Sequence, residues 1–110
     1  MVFKNTWAMN WSIGPHLLNR EGIPHGGALA TVLDTAMGFA GSYTGDPDKP
    51  HIVMTLNLSV NYMAKASGNR LITYANVTGG GFKTFFAEAR VSDELGTVAA
   101  TATGVFKRKI

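Results

Sequence analysis

One carboxylate stands alone in the longest apolar stretch of this chain. From Gly26 to Thr44 the sequence is dominated by Gly, Ala, Leu, Val, Met and Phe, and Asp34 near its middle is the one charged residue. Taking an unpaired carboxylate out of water is costly, so Asp34 must be paired, hydrated or functional. Two helical turns earlier stand Gly26 and Gly27. Having no side chains, they let a ligand approach the backbone where the unbonded amides and the positive dipole end of a helix point outward, which makes an anion or oxyanion site. Each feature also has a plainer reading. Asp34 could bond a backbone amide or a group across a subunit interface, and the glycines could simply permit a tight turn against a sheet.

The elements that must position these groups follow from periodicity. The stretch from Gly26 to about Thr44 reads as a helix, opened by the Pro24-His25-Gly26-Gly27 turn and closed by Gly45-Asp46-Pro47-Asp48, which cannot continue one. With almost no polar side, it is predicted to be buried all round. Trp7, Met9, Trp11 and Ile13 alternate as one face of a strand. Ile52, Met54, Leu56, Leu58, Val60 and Tyr62 alternate as the apolar face of a longer one, with Thr55 on its polar side. Leu71 to Thr78, Phe82 to Ser92 and Thr97 to Lys107 read as three further strands, separated by Gly79-Gly80-Gly81 and Asp93-Glu94-Leu95-Gly96, and so form an antiparallel meander. The simplest architecture is α+β, a curved antiparallel sheet of about five strands wrapped around one long central helix. Residues 1–110 make a single domain.

Composition removes several classes of chemistry. The absence of cysteine excludes disulfides, thiolate metal sites and cysteine nucleophiles. His16, His25 and His51 lack ligand-like spacing, so no metal site is expected. Gly79-Gly80-Gly81-Phe82-Lys83-Thr84 is interrupted by Phe82 before its lysine and is followed by a strand, so it is not a phosphate loop. No G-x-S-x-G elbow is present. Only 15% of residues are charged, against about 25% in an ordinary soluble domain, which points to a homo-oligomer that hides part of its surface. The net charge of +3 resides in Lys107, Arg108 and Lys109, because residues 1–106 carry seven charges of each sign. Cations gathered at one end do not form a nucleic-acid-binding face, although they could steer an anionic small molecule. With neither a signal peptide nor a membrane span in the pattern, the expected location is cytoplasmic.

The segment Asn19-Arg20-Glu21-Gly22-Ile23-Pro24-His25-Gly26-Gly27, followed six residues later by Asp34, resembles the hotdog-fold acyl-CoA thioesterases of the PaaI-like family. Thr55 to Met63 and Gly96-Thr97-Val98-Ala99 extend the resemblance over the chain from about Asn19 onward. It implies one long helix wrapped by an antiparallel sheet, and a homodimer joined sheet edge to sheet edge, often paired again into a tetramer. The active sites then lie between subunits. By matching positions, Asp34 would be the general base or nucleophile and Gly26, with Gly27, would polarise the thioester oxygen. Asn19 would orient water or the thioester, and Thr55 would hold the water. His25, with Gly27 a substrate-binding position, would orient the turn by hydrogen bonding. The implied substrate is an acyl- or aryl-acyl-CoA, with CoA as part of the substrate and no separate cofactor or metal. Where many relatives have Arg-Pro, this chain has Ala64-Lys65. Lys65, Arg70, Lys83, Arg90, Lys107 and Arg108 are the candidate contacts for the CoA phosphates. Two other uses of such a pocket are a non-catalytic acyl-CoA binding or sensing module and an enoyl-CoA hydratase or dehydratase.

Overall fold

The apolar stretch folds as predicted into a helix, α1, running Gly26–Ser42. The computed structural model describes residues 2–3, 6–13, 18, 24–42, 46 and 48–109, so the predicted helix end at Thr44 lies outside the described residues. His25 caps the helix start. Its carbonyl accepts the amides of Ala28 and Leu29 at 3.0 and 3.3 Å, and its Nδ1 shares the Ala28 amide at 3.0 Å.

The helix is not buried all round. Ala28, Leu29, Val32, Leu33, Ala36, Met37, Ala40 and Gly41 are buried and recur at helical spacing, as a face laid on the sheet. The opposite stripe is open, with Gly27, Thr31 and Phe39 exposed and Asp34, Thr35, Gly38 and Ser42 half-buried. A single sheet covers one side of a cylinder about 10 Å across, and apolar composition alone cannot supply a second layer.

Six strands make up one antiparallel sheet: β1 (Val2–Phe3), β2 (Thr6–Ser12), β3 (Ile52–Tyr62), β4 (Arg70–Gly80), β5 (Thr84–Asp93) and β6 (Val98–Lys109), in the order β1-β2-β4-β5-β6-β3. Five are long, as predicted, and β1 adds a two-residue hairpin arm. The β4-β5-β6 meander turns at Gly80 and Gly96, whose φ angles of 103° and 90° lie in the left-handed region open to glycine. Wrapped around α1, this sheet is the hotdog arrangement that the resemblance implies. Leu33, Met37, Leu71, Phe85, Val91 and Phe106 fill the space between the two layers, and Trp7, Met9 and Trp11 of β2 and Ile13 just after it pack against them.

Strand β3 departs from its predicted alternation. Its register against β6 slips at Leu56, because Thr55 faces Phe106 and Asn57 faces Val105. One extra residue exchanges the two faces of a strand. Val53 before the bulge and Leu58 and Val60 after it pack on the core, while Ile52, Met54 and Leu56 stay 68%, 58% and 53% exposed. The single apolar face predicted for Ile52 to Tyr62 is therefore split.

Two charged residues serve the frame. Arg108 lies within β6, where its Nε donates to the Gly41 carbonyl at the helix end (2.8 Å) and its Nη1 donates to the carbonyls of Gly81 (3.1 Å) and Phe82 (2.7 Å). Its guanidinium sits 4.4 Å from the Phe85 ring centre. Asp93, 1% exposed, accepts the amides of Ser67 and Gly68 on Oδ2 and those of Leu95 and Thr97 on Oδ1. Burial alone would raise its carboxyl, but the four amide bonds outweigh that and hold it below the usual carboxylate value.

Candidate active site

Asp34 occupies the open stripe of α1 opposite β3. The bulge keeps Thr55 on the inner side of the strand, and its Oγ1 donates to Asp34 Oδ1 at 2.7 Å. Thr55, read from alternation as a polar-face residue, thus reaches the helix because of a single inserted residue. The plainer reading of Asp34 as a carboxylate bonded to a backbone amide is not what the described residues show. Its bonded partner there is a side-chain hydroxyl on Oδ1, and Oδ2 has no donor among the described residues. The pair opens on a cleft of about 310 Å³ that runs past Gly38 and Phe39 to His51 and Val53. A Cβ added at Gly38 would meet nothing within 4 Å, so the cleft is open along the helix for a further turn. This side combines a positioned carboxylate with an apolar trough.

The second group of predicted residues gathers at the start of α1. His25 uses its carbonyl and Nδ1 for the amides of Ala28 and Leu29, in the turn-orienting manner expected of it. The amides of Gly26 and Gly27 have no acceptor among the described residues and point out of the helix end, where the dipole favours negative charge. One residue not singled out in the sequence joins them. Tyr62, at the end of β3, donates its hydroxyl to the Gly26 carbonyl at 2.9 Å. Beside it a cleft of about 340 Å³ is lined by Pro24, Leu29, Met63 and Lys65. Tyr62 stood in the strand alternation and in the Thr55 to Met63 segment of the resemblance, and neither gives a hint of a helix-end partner. Asn19 lies outside the described residues.

The two groups lie apart within one chain. Eight helical residues separate Gly26 from Asp34, about 12 Å at 1.5 Å per residue, whereas groups acting on one carbonyl must come within roughly 3–3.5 Å of the reacting atoms. Of the cations considered for CoA, Arg108 is committed to three carbonyls, while Lys65, Arg70, Lys83, Arg90 and Lys107 are exposed. Among the described residues no group of three or more His, Asp or Glu could hold a metal, and no helix is long and apolar enough to cross a membrane.

A helix start bearing bare glycine amides, a carboxylate two turns on and a sheet wrapped around both define a hotdog-type site, and the chain belongs to the thioesterase superfamily, whose sequence profile matches residues 21–100. It is 34% identical over 89 residues to a provisionally named esterase of Pseudomonas aeruginosa, covering 80% of this chain and 64% of that protein. It is also 34% identical over 91 residues to the bovine acyl-coenzyme A thioesterase THEM4, covering 69% of this chain and 35% of that protein. The chain thus spans less than two thirds of the length of each of these curated relatives. A Bacillus halodurans protein solved with CoA superposes with a TM-score of 0.84 at 30% identity, covering 94% of this chain and 67% of that one.

Proposed function

We propose that the protein hydrolyses an acyl- or aryl-acyl-CoA thioester to the free acid and CoA, at a site completed by two copies of the chain. The observation that carries this reading is the Asp34–Thr55 pair opening on an apolar cleft while the chain's own helix-start amides lie about 12 Å away. Superfamily membership, the name of the bovine relative and the CoA held by the Bacillus halodurans structure support it.

In this mechanism Thr55 holds Asp34 Oδ1, and Oδ2 takes a proton from water as the water oxygen attacks the thioester carbon. The carbonyl oxygen becomes an oxyanion and is stabilised by the Gly26 amide, with Gly27, of the other copy. When the tetrahedral intermediate collapses, the C–S bond breaks and the proton held by Asp34 passes to the departing CoA sulfur. A thiol of pKa about 8.5 leaves readily, so the chemistry needs no cofactor beyond the substrate. Asn19 belongs to the same site in this reading, placing water or the thioester.

The partner copy joins at β3. This strand is a sheet edge eleven residues long, and Ile52, Met54 and Leu56 stand open on it. A long apolar edge invites pairing with another strand. Two copies joined there form a homodimer with one continuous sheet, and a dimer of dimers extends it.

The test is thiol release from acetyl-, hexanoyl-, decanoyl-, benzoyl- and phenylacetyl-CoA by the native chain and by Asp34→Asn, with molar mass measured by light scattering. The expected result is a dimer or tetramer whose turnover disappears in the variant. Equal rates in both would remove Asp34 from the mechanism. Tight CoA-ester binding without turnover would make the protein a binding module.

A further inference from the structure

The helix start holds a second polar device, and its geometry concerns the direction of one peptide. Of the amides at the beginning of α1, those of Ala28 and Leu29 are taken by His25. The Gly26 and Gly27 amides remain, and they are the pair to which the proposed hydrolysis assigns the oxyanion. Gly26 C=O and Gly27 N–H belong to the same planar trans peptide unit, so fixing the direction of the carbonyl fixes the opposite direction of the N–H.

That carbonyl accepts the Tyr62 hydroxyl at 2.9 Å. The ring also packs on the glycine. A Cβ built at Gly26 would lie 3.1–3.2 Å from Tyr62 Cζ, Cε1 and Oη, so the bare Cα lets the phenol close on the backbone. Tyr62 reaches this position because the Leu56 bulge turns the even-numbered residues after it, Leu58 and Val60 among them, toward the helix layer. The phenol is 56% exposed, so burial of the side chain does not account for its placement.

We infer that Tyr62 is a positioning residue for the oxyanion site: its hydroxyl holds the Gly26–Gly27 peptide so that the Gly27 amide points at the thioester oxygen. The hydrogen bond does a second thing. A donor on a peptide carbonyl polarises the unit and strengthens its N–H as a donor, as linked hydrogen bonds do. This rests on the thioesterase reading above, and it adds to that reading a residue that touches neither water nor the carboxylate. Removing an oxyanion donor outright costs about 10²–10³ in kcat. Tyr62 orients a donor that stays present, so its loss costs about tenfold.

The experiment compares the native chain, Tyr62→Phe, which keeps the ring on Gly26, and Asp34→Asn, using the best acyl-CoA of the panel as probe. Tyr62→Phe is expected to lower kcat about tenfold with KM and thermal midpoint unchanged. In ¹⁵N-edited NMR spectra the Gly27 amide resonance is expected to move upfield in the proton dimension. Full kcat in Tyr62→Phe, while Asp34→Asn is inactive, would overturn the inference and leave hydrolysis standing. A fall in thermal midpoint with KM raised in parallel would reduce Tyr62 to a structural prop and overturn it as well. Full activity of Asp34→Asn would instead overturn the hydrolytic reading itself.

Discussion

Replacing Thr55 by Val removes one hydroxyl, and its consequence can be worked from the 2.7 Å bond to Asp34 Oδ1. A hydrogen bond to a charged group is worth about 1.5–3 kcal/mol when shielded from water. Thr55 is exposed and Asp34 half-buried, so water competes for the carboxylate and about 1 kcal/mol is the appropriate figure. If that energy positions the base, its loss appears in the rate. At 1.36 kcal/mol per factor of ten, kcat falls roughly fivefold. Valine has the same shape and suits a strand, so the thermal midpoint should fall by no more than about 4 °C, the effect of that same ~1 kcal/mol. The assay is thiol release at saturating acyl-CoA by Thr55→Val and Thr55→Ser. Serine, which keeps a hydroxyl at the site, is expected to retain most of the rate. Unchanged kcat in Thr55→Val would refute the argument that Thr55 positions Asp34 and return it to the role of an exposed edge residue.

Two further predictions concern the frame. Arg108→Met removes three bonds to carbonyls and a contact over Phe85, and is expected to cost about 2 kcal/mol, a fall in thermal midpoint of roughly 8 °C. Lys107→Met and Lys109→Met, on exposed neighbours, should change stability by less than about 0.5 kcal/mol, and differential scanning calorimetry on the three proteins checks the contrast. Asp93 has a native carboxyl held below its unfolded value, so its contribution to stability is present above the unfolded value of about 3.9 and is lost as pH falls through the lower native one. Urea midpoints followed from neutral pH into acid should fall steeply in the native chain. Asp93→Asn should be less stable at neutral pH, because its amide group cannot accept all four backbone donors, and its midpoint should change less with acid.

The parts of this fold governed by local pattern were readable in the chain. The apolar run from Ala28 to Ala40 between its Pro24-His25-Gly26-Gly27 start and its Gly45-Asp46-Pro47 stop, the alternation of Trp7 to Ile13 and the glycine turns at Gly80 and Gly96 each depend on residues within a few positions of one another. The β3 alternation misled because it continues unbroken through Leu56, and the bulge there arises from pairing with β6, whose facing residues lie about fifty positions further on. Arg108 looked equivalent to Lys107 and Lys109, and no neighbour in sequence indicates that the end of α1 and the turn at Gly81-Phe82 would both reach it. Asp93 read as an ordinary turn residue for the same reason, since two of its four donors, Ser67 and Gly68, come from a different loop.

By itself the sequence determined the helix that carries the carboxylate, the capped glycine start, the meander and the family, because period, capping and motif spacing are properties of adjacent residues. Tertiary structure alone decided which helix face stays open, that Thr55 rather than a backbone amide meets Asp34, and that Tyr62 grips the Gly26 carbonyl. The open face follows from one sheet covering one side of a helix, and the other two from how an edge strand with one extra residue lies across it. A one-residue slip in pairing moves every later side chain to the other face, and the energy that selects the slip comes from packing between segments far apart in the chain.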